Sequence, residues 1–244
     1  MTEGSSAITD AVLRPVRTGN AFEETVERLL EGIKLGVYGY GDRLPVEREL
    51  ASRLGVSRVT VRDALRELAA ARYVETRRGR FGGTFVTYQP DPLRHNELAR
   101  TAQSMGGLLA DALAFRRVVE IGAAESAARA SLTRRQRGDL TARLAAVAGA
   151  PVRGYRQADS RLHLAIAEAA GSPLLTASVV DVRARLVDLL NAIPMLERNL
   201  AHSNAQHARI VHAILAGDSE GARLAMDEHV EGTAALLRGF LARP

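Results

Sequence analysis

LPVERELASRLGVSRVTVRDALRELAAARYVETRRGRFGGTFV, residues Leu44 to Val86, is the stretch that decides the architecture of the first third of the chain. Pro45 suits the first turn of a helix that carries Leu50 and Leu54 and stops at Gly55. Ser57 is a good N-cap for a second helix running to about Ala71, with Val61, Leu65 and Leu68 on one apolar face. The periodicity then changes. Tyr73–Thr76 and Thr84–Thr87 are short β-prone runs, and the glycine- and arginine-rich segment 77–83 between them reads as a hairpin loop. Upstream, Phe22, Val26, Leu29, Leu30 and Ile33 recur at helical spacing until Gly36 and the Gly39-Tyr40-Gly41-Asp42 cluster end the run.

Helix, helix, helix, hairpin is the order of a winged helix-turn-helix, and residues 19–88 are assigned to it. Residues 1–18 are small and polar and read as a flexible lead-in. Charge supports a polyanionic partner. Residues 53–80 hold eight arginines against three acids, a net of +5, which equals the net charge of the whole chain. In such a fold the second helix of the pair enters the major groove by its N-terminal residues. That places Arg58 and Arg62 outward, where a guanidinium fork can bond guanine O6 and N7 together. Ser57 and Thr60 suit phosphates at the helix N-terminus. Arg48 is placed to reach the same groove, and Gly79 permits close backbone approach at the wing tip, with Arg77, Arg78 and Arg80 around it.

Tyr88-Gln89-Pro90-Asp91-Pro92 breaks both helix and strand and opens a linker assigned to 89–106, with a helix over roughly 95–104. Beyond it the chain reads as helices at about 107–131, 133–148, 152–170, 173–191, 199–216 and 218–239, separated by glycine and proline, with no strand candidate. The expected fold class is therefore mainly α: three helices plus a β-hairpin, then an all-α bundle over 107–239. The 244 residues contain no cysteine, which excludes disulfides and cysteine-based zinc sites. There is no apolar run of spanning length and no signal-peptide layout, so a cytoplasmic protein with no membrane association is expected.

Four residues of the bundle stand out. Asp159 and His163 are i and i+4 on one helix face, while His207 and His229 sit among apolar neighbours in two later helices. Three imidazoles and a carboxylate suit Zn²⁺, Ni²⁺ or a similar divalent ion with coordination positions left open. The plainer reading is packed or surface histidines, and that is the reading given to His95, His202 and His212. An open metal site also admits a metal-dependent hydrolase. Against that enzyme reading, the chain has neither HExxH nor an HD dipeptide.

The Leu44–Val86 run closely resembles the DNA-binding domain of the GntR family of bacterial transcription regulators. The resemblance is ungapped, and it implies base and phosphate contacts at Arg48, Ser57, Arg58, Arg62 and Gly79. The chain departs from the family at Val46, where a Ser or Thr cap worth ~1 kcal/mol is usual. It departs again at Val59, which suits a thymine methyl rather than a polar contact. Residues 107 to 239 resemble the FCD effector domain of the FadR branch. The carrying motifs are Asp159-Ser-Arg-Leu-His163, Gln206-His207-Ala-Arg-Ile-Val-His-Ala-Ile-Leu-Ala-Gly-Asp218 and Met226-Asp-Glu-His229. The resemblance implies a metal ion on Asp159, His163, His207 and His229, Zn²⁺ first, with Ni²⁺ and Mn²⁺ as alternatives. The ion would hold the carboxylate of a small organic or sugar acid. Arg116 matches an arginine near that pocket; the competing reading is a surface salt bridge with Glu120 one turn on. Ser172 stands where the family usually has Asn. The implied protein is a non-enzymatic regulator, a homodimeric repressor of a pseudo-palindromic operator, with a sensor of the metal itself as the alternative.

Overall fold

The structure is a computed structural model that describes residues 6–15, 21–79, 82–89, 107–192 and 197–241. The chain divides into two compact units, residues 1–89 and 90–244. The expected linker helix at 95–104, and Arg80, lie outside the described residues.

The first unit contains α1 (Ala7–Val12), α2 (Ala21–Lys34), α3 (Glu47–Leu54), α4 (Arg58–Ala70), β1 (Val74–Arg77) and β2 (Gly83–Val86). Leu29, Ile33, Leu50, Leu54, Val61, Leu65, Leu68, Val74 and Val86 are buried in it. Gly55 ends α3 in the left-handed conformation (φ 68°), and the Ser57 side chain caps α4 by accepting from Thr60 N. These two residues set the tight turn between the paired helices. β1 and β2 pair antiparallel, with Val74 opposite Val86 and Arg77 opposite Gly83. The strands are displaced by one residue from the sequence reading because Gly83 joins the ladder. A side chain there would collide with Arg43, whose segment bridges Phe85 along the hairpin edge.

Two expectations need correction. Residues 1–18 are not simply a flexible lead-in, because α1 forms within them, and Ala11, Val12 and Leu13 are buried. The apolar residues from Ala7 to Leu13 span too short a run to read as a helix, yet α1 finds cover against α2. Val12 lies so close to Gly32 that a Cβ there would sit 2.9 Å from Val12 Cγ1. Likewise Pro45 does not lie in the first turn of α3: Val46 is the N-cap and makes no side-chain cap hydrogen bond.

The second unit contains α5 (Gly107–Arg129), α6 (Arg134–Ala148), α7 (Val152–Ala169), α8 (Pro173–Ala192), α9 (Glu197–Ala216) and α10 (Ser219–Leu241). Helix α5 touches α7, α8, α9 and α10, and α6 closes over α7 and α9. Ala124, Ala127, Leu140, Leu162, Ile166, Ile210, Val211, Ile214 and Met226 form its core. Small alanines along α5 let several helices approach it at once. Thr133 and Gln136 form a reciprocal capping box at α6, and Ser172 Oγ accepts from Leu175 N at the start of α8.

Val46 adopts the extended backbone of an N-cap and is half exposed, so Val46→Ser should supply the missing acceptor without disturbing the core. The expected gain is about 1 kcal/mol in the first unit, read as a raised calorimetric transition. An unchanged transition would show that the first N–H groups of α3 are already satisfied.

Candidate metal centre and DNA-reading surface

Helices α7, α9 and α10 each carry one polar turn into an otherwise apolar interior. Asp159 and His163 come from α7, His207 from α9 and His229 from α10, and all four are buried. One ligand atom from each lies within 4.8 Å of all the others. The four residues expected as metal ligands are thus brought together. His202 and His212 lie on the surface, and His95 falls outside the described residues.

The polar neighbours of His163 and His229 indicate where their imidazole lone pairs point. His163 Nδ1 contacts Glu120 Oε2, and a carboxylate only accepts, so Nδ1 carries the proton. His229 Nδ1 lies 3.1 Å from Gln206 Oε1. The Gln206 amide cannot flip freely, because its Nε2 donates to Glu228 Oε1 at 3.3 Å. His229 Nδ1 therefore also carries the proton. Both Nε2 atoms are left bare, and they face each other at 3.2 Å. Two lone pairs at that distance repel unless a cation lies between them. Ligands bonded to one ion at about 2.0–2.1 Å would stand roughly 3.0–3.4 Å apart, so the donors fit a shared metal. His207 Nε2 is 3.2 Å from Asp159 Oδ1, and neither ring nitrogen of His207 makes a hydrogen bond.

Electrostatics favour the ligating protonation states. Burial, reinforced by His207 and His163, holds the His229 imidazole well below its usual range, and burial lowers His163 as well. Burial alone would push the Asp159 carboxyl up, but His207, His163 and Arg183 outweigh it and hold it well below the usual carboxylate range. The result is neutral His163 and His229 imidazoles beside an ionised Asp159 carboxylate.

Behind the four residues lies an ion network that the sequence reading mostly missed. Arg116 Nε donates to Glu120 Oε1 at 2.8 Å. Arg183 reaches Glu120 Oε1 at 3.1 Å, Asp159 Oδ2 at 2.6 Å and Ser160 Oγ at 3.2 Å. Burial raises the Glu120 carboxyl, yet His163, Arg116 and Arg183 together hold it well below its usual range. The Arg116–Glu120 bridge considered in the sequence exists, but it is buried rather than on the surface, and Arg116 NH1 is buried without a hydrogen bond. The signal for these residues was available. Arg116 and Glu120 stand in line with Leu113, Ala123 and Ala127, and Arg183 stands in line with Val179, Leu186 and Leu190. Charges on apolar stripes are costly unless paired. Gln206 carried no such mark, being adjacent to His207 in a mixed segment.

A cavity of about 220 Å³ is lined by Tyr155, Arg156, Asn199, Ser203, Gln206 and Thr233, among others. Tyr155, Ser203 and Thr233 each stand one helical turn from Asp159, His207 and His229, so the cavity adjoins the four-residue cluster.

In the first unit Arg48, Ser57, Arg58, Val59, Arg62, Arg78 and Gly79 are exposed, and Thr60 is half-buried. Val59, 62% exposed, is an apolar side chain offered to solvent on the first turn of α4. The Ser57 and Thr60 hydroxyls lie 2.9 Å apart, so both are engaged at the cap and only their remaining capacity faces outward. Gly79 has φ 102° and open space where a Cβ would stand.

Residues 22–86 match the family described as bacterial regulatory proteins, gntR family, and residues 111–232 match the FCD domain. The chain is 33% identical to a Mycobacterium gastri protein named as the HTH-type transcriptional regulator RmpR, over 84% of this chain and 76% of that one. It is 30% identical to an Escherichia coli K12 protein named as an L-lactate dehydrogenase operon regulatory protein, over 94% and 90%. The chain belongs to the GntR family. It is a DNA-binding transcription regulator with an FCD domain, and its relatives are regulators rather than enzymes. The Escherichia coli Exu regulon transcriptional regulator is 28% identical over 88% of this chain and 84% of its own. Among solved structures, Escherichia coli McbR/YncC shares the fold with a TM-score of 0.51 and 20% identity, covering 90% of this chain and 97% of that one. No described helix of this GntR regulator is long and apolar enough to cross a membrane.

Removing Glu120 from the FCD domain would leave Arg116 and Arg183 short of their shared buried counter-charge. Glu120→Ala is expected to cost about 3–5 kcal/mol, measured by urea unfolding of the second unit; a loss under ~1 kcal/mol would show that water reaches the network. The depressed groups also set a pH window. His163 and His229 have folded values below the ordinary imidazole value of 6.5, so their contribution is complete above that pH and is lost as pH falls through the folded values. Asp159 and Glu120 add a second loss below their ordinary values of 3.8 and 4.5. In metal-free protein, hydrogen-exchange protection of α5 and α7 amides should begin to fall once pH drops below about 6.5. Protection that stays flat down to pH 5 would contradict neutral, buried imidazoles.

Proposed function

We propose that this regulator is a homodimeric repressor, of the FadR branch, released from a pseudo-palindromic operator by a small carboxylate bound at a divalent metal. Asp159, His163, His207 and His229 hold the ion, Zn²⁺ in the first instance, with Ni²⁺ or Mn²⁺ able to take the same donors. The observation that carries this reading is the pair of bare Nε2 atoms facing each other at 3.2 Å. A bound ion supplies a fixed positive charge on which a carboxylate oxygen can settle.

Charge balance supports the carboxylate. Arg116 and Arg183 offset Glu120 and Asp159, so a divalent ion among neutral imidazoles leaves the buried site about two charges positive. Arg116 NH1, buried without a hydrogen bond, offers a donor to the anion, and the cavity offers hydroxyl and amide groups from Asn199, Ser203 and Thr233. One relative is named for an L-lactate dehydrogenase operon, and lactate is a hydroxycarboxylate small enough for 220 Å³. Glu120, bound to His163, Arg116 and Arg183, is unsuited to act as a hydrolytic base.

On the DNA side, Arg48, Arg58, Val59 and Arg62 read the major groove, Ser57 and Thr60 hold phosphates, and Arg78 and Gly79 follow the backbone from the wing. Two such heads in a symmetric dimer match a pseudo-palindrome. The acid acts by favouring the state of the dimer that binds DNA less well.

The test is fluorescence anisotropy on an operator obtained by selection from random DNA, with metal-loaded protein and a panel of hydroxy and sugar acids. Binding should weaken at least tenfold with one class of acid. His207→Ala/His229→Ala protein should lose both the metal and the acid response while keeping DNA affinity. Release by metal alone, with no response to any acid, would replace this reading with a sensor of the metal.

A further inference from the structure

One carboxylate of the DNA-reading face bridges from α3 to the arginines of α4. Glu47, the first residue of α3, accepts from Arg62 twice: Nε to Oε1 at 3.2 Å and NH2 to Oε2 at 2.7 Å. Arg58 NH2 stands 4.0 Å from Oε2 of the same carboxylate. Arg58 and Arg62 are one turn apart on α4, so a single acid on one helix addresses both outward arginines of the other. Hydrogen bonding from Arg62 holds the Glu47 carboxyl below its usual range, with Arg58 and Arg66 adding to the effect, so it stays ionised.

A stabilising role explains this poorly. Exposed ion pairs contribute little, and Arg62 and Glu47 keep 46% and 31% of their side-chain surface open. A negative charge on a surface that approaches phosphates also weakens general attraction to DNA. The fork does something else well. It engages two of the five N–H donors of Arg62 and fixes the plane of the guanidinium, leaving the other donors directed away from α3. An arginine free to rotate neutralises phosphate on any sequence. An arginine held in one plane bonds the base edge that meets it.

The geometry points to Glu47 as the positioning residue for sequence selectivity: it holds Arg62, with Arg58 beside it, for base reading and withholds both from indiscriminate phosphate contact. This rests on the assignment of Arg58 and Arg62 to the DNA surface.

The test uses the full-length protein as wild type, Glu47→Gln, Arg62→Ala and the double variant. The DNA probes are a random-sequence 30-base-pair duplex and a library randomised over 20 positions. Glu47→Gln keeps the shape and removes the charge. It should bind the random duplex roughly three- to tenfold more tightly, with a salt dependence steeper by about one unit of log K per log salt. Sequences it enriches should lose preference at one or two positions in each half-site. In the Arg62→Ala background the same substitution should change random-duplex binding by less than half of that factor. A purely structural role would instead lower the melting temperature and weaken both kinds of binding in parallel. That outcome, or unchanged random-duplex affinity with an unchanged selected motif, overturns the inference. If Arg62→Ala binds DNA as wild type does, the placement of Arg62 on the DNA surface has failed, and selectivity through Glu47 fails with it.

Discussion

Two imidazole nitrogens, Nε2 of His163 and Nε2 of His229, face each other at 3.2 Å, while the Nδ1 atom on the other side of each ring meets an acceptor that favours the proton there. No arrangement of apolar packing rewards that contact. It is tolerable when a cation lies between the rings, and the surroundings hold the rings in readiness for one. Glu120 sets one tautomer from α5, Gln206 sets the other from α9, and burial keeps both rings neutral. The choice of helices follows from this constraint. α7, α9 and α10 must meet at one depth, and α5 must run close enough to all of them to deliver a carboxylate.

The same constraint explains why the interior of an alanine- and leucine-rich bundle holds so many charges. Arg183 joins Asp159 to Glu120, and Glu120 joins His163 to Arg116. Any change of charge at the cluster is felt on α5, α7 and α8 together, because the interior screens it poorly. Under the proposed reading, an ion and an anion arriving there would alter the balance of one connected network rather than four separate side chains, which is how a small ligand would shift the population of helix packings.

Much of this was legible in the sequence, and the unequal parts have physical reasons. The second unit could be read helix by helix, because Gly171, Gly217 and the prolines punctuate a strong periodic pattern. Asp159 and His163 declared themselves by their i, i+4 spacing, and His207 and His229 by their apolar neighbours. The sequence pairs Glu120 with Arg116 but gives no reason to place either Glu120 or Arg183 in the site, since a charge on an apolar stripe reveals its partner only in three dimensions. α1 was missed for the opposite reason. The apolar run from Ala7 to Leu13 is too short to show a repeated period, and Val12 and Leu13 become core residues beside α2. The hairpin strands sit one residue closer to the turn than the two β-prone runs, because Gly83 looks like loop and behaves as strand. Pro45 signalled the α3 terminus well, but the helix begins two residues later.

X-ray absorption at the zinc edge of the zinc-loaded protein decides whether Asp159, His163, His207 and His229 form one metal site with imidazoles bound through Nε2. The expected spectrum shows about three imidazole ligands with their characteristic outer-shell scattering and at least one oxygen, all at roughly 2.0–2.2 Å. One imidazole or none, or six oxygens, would rule that site out.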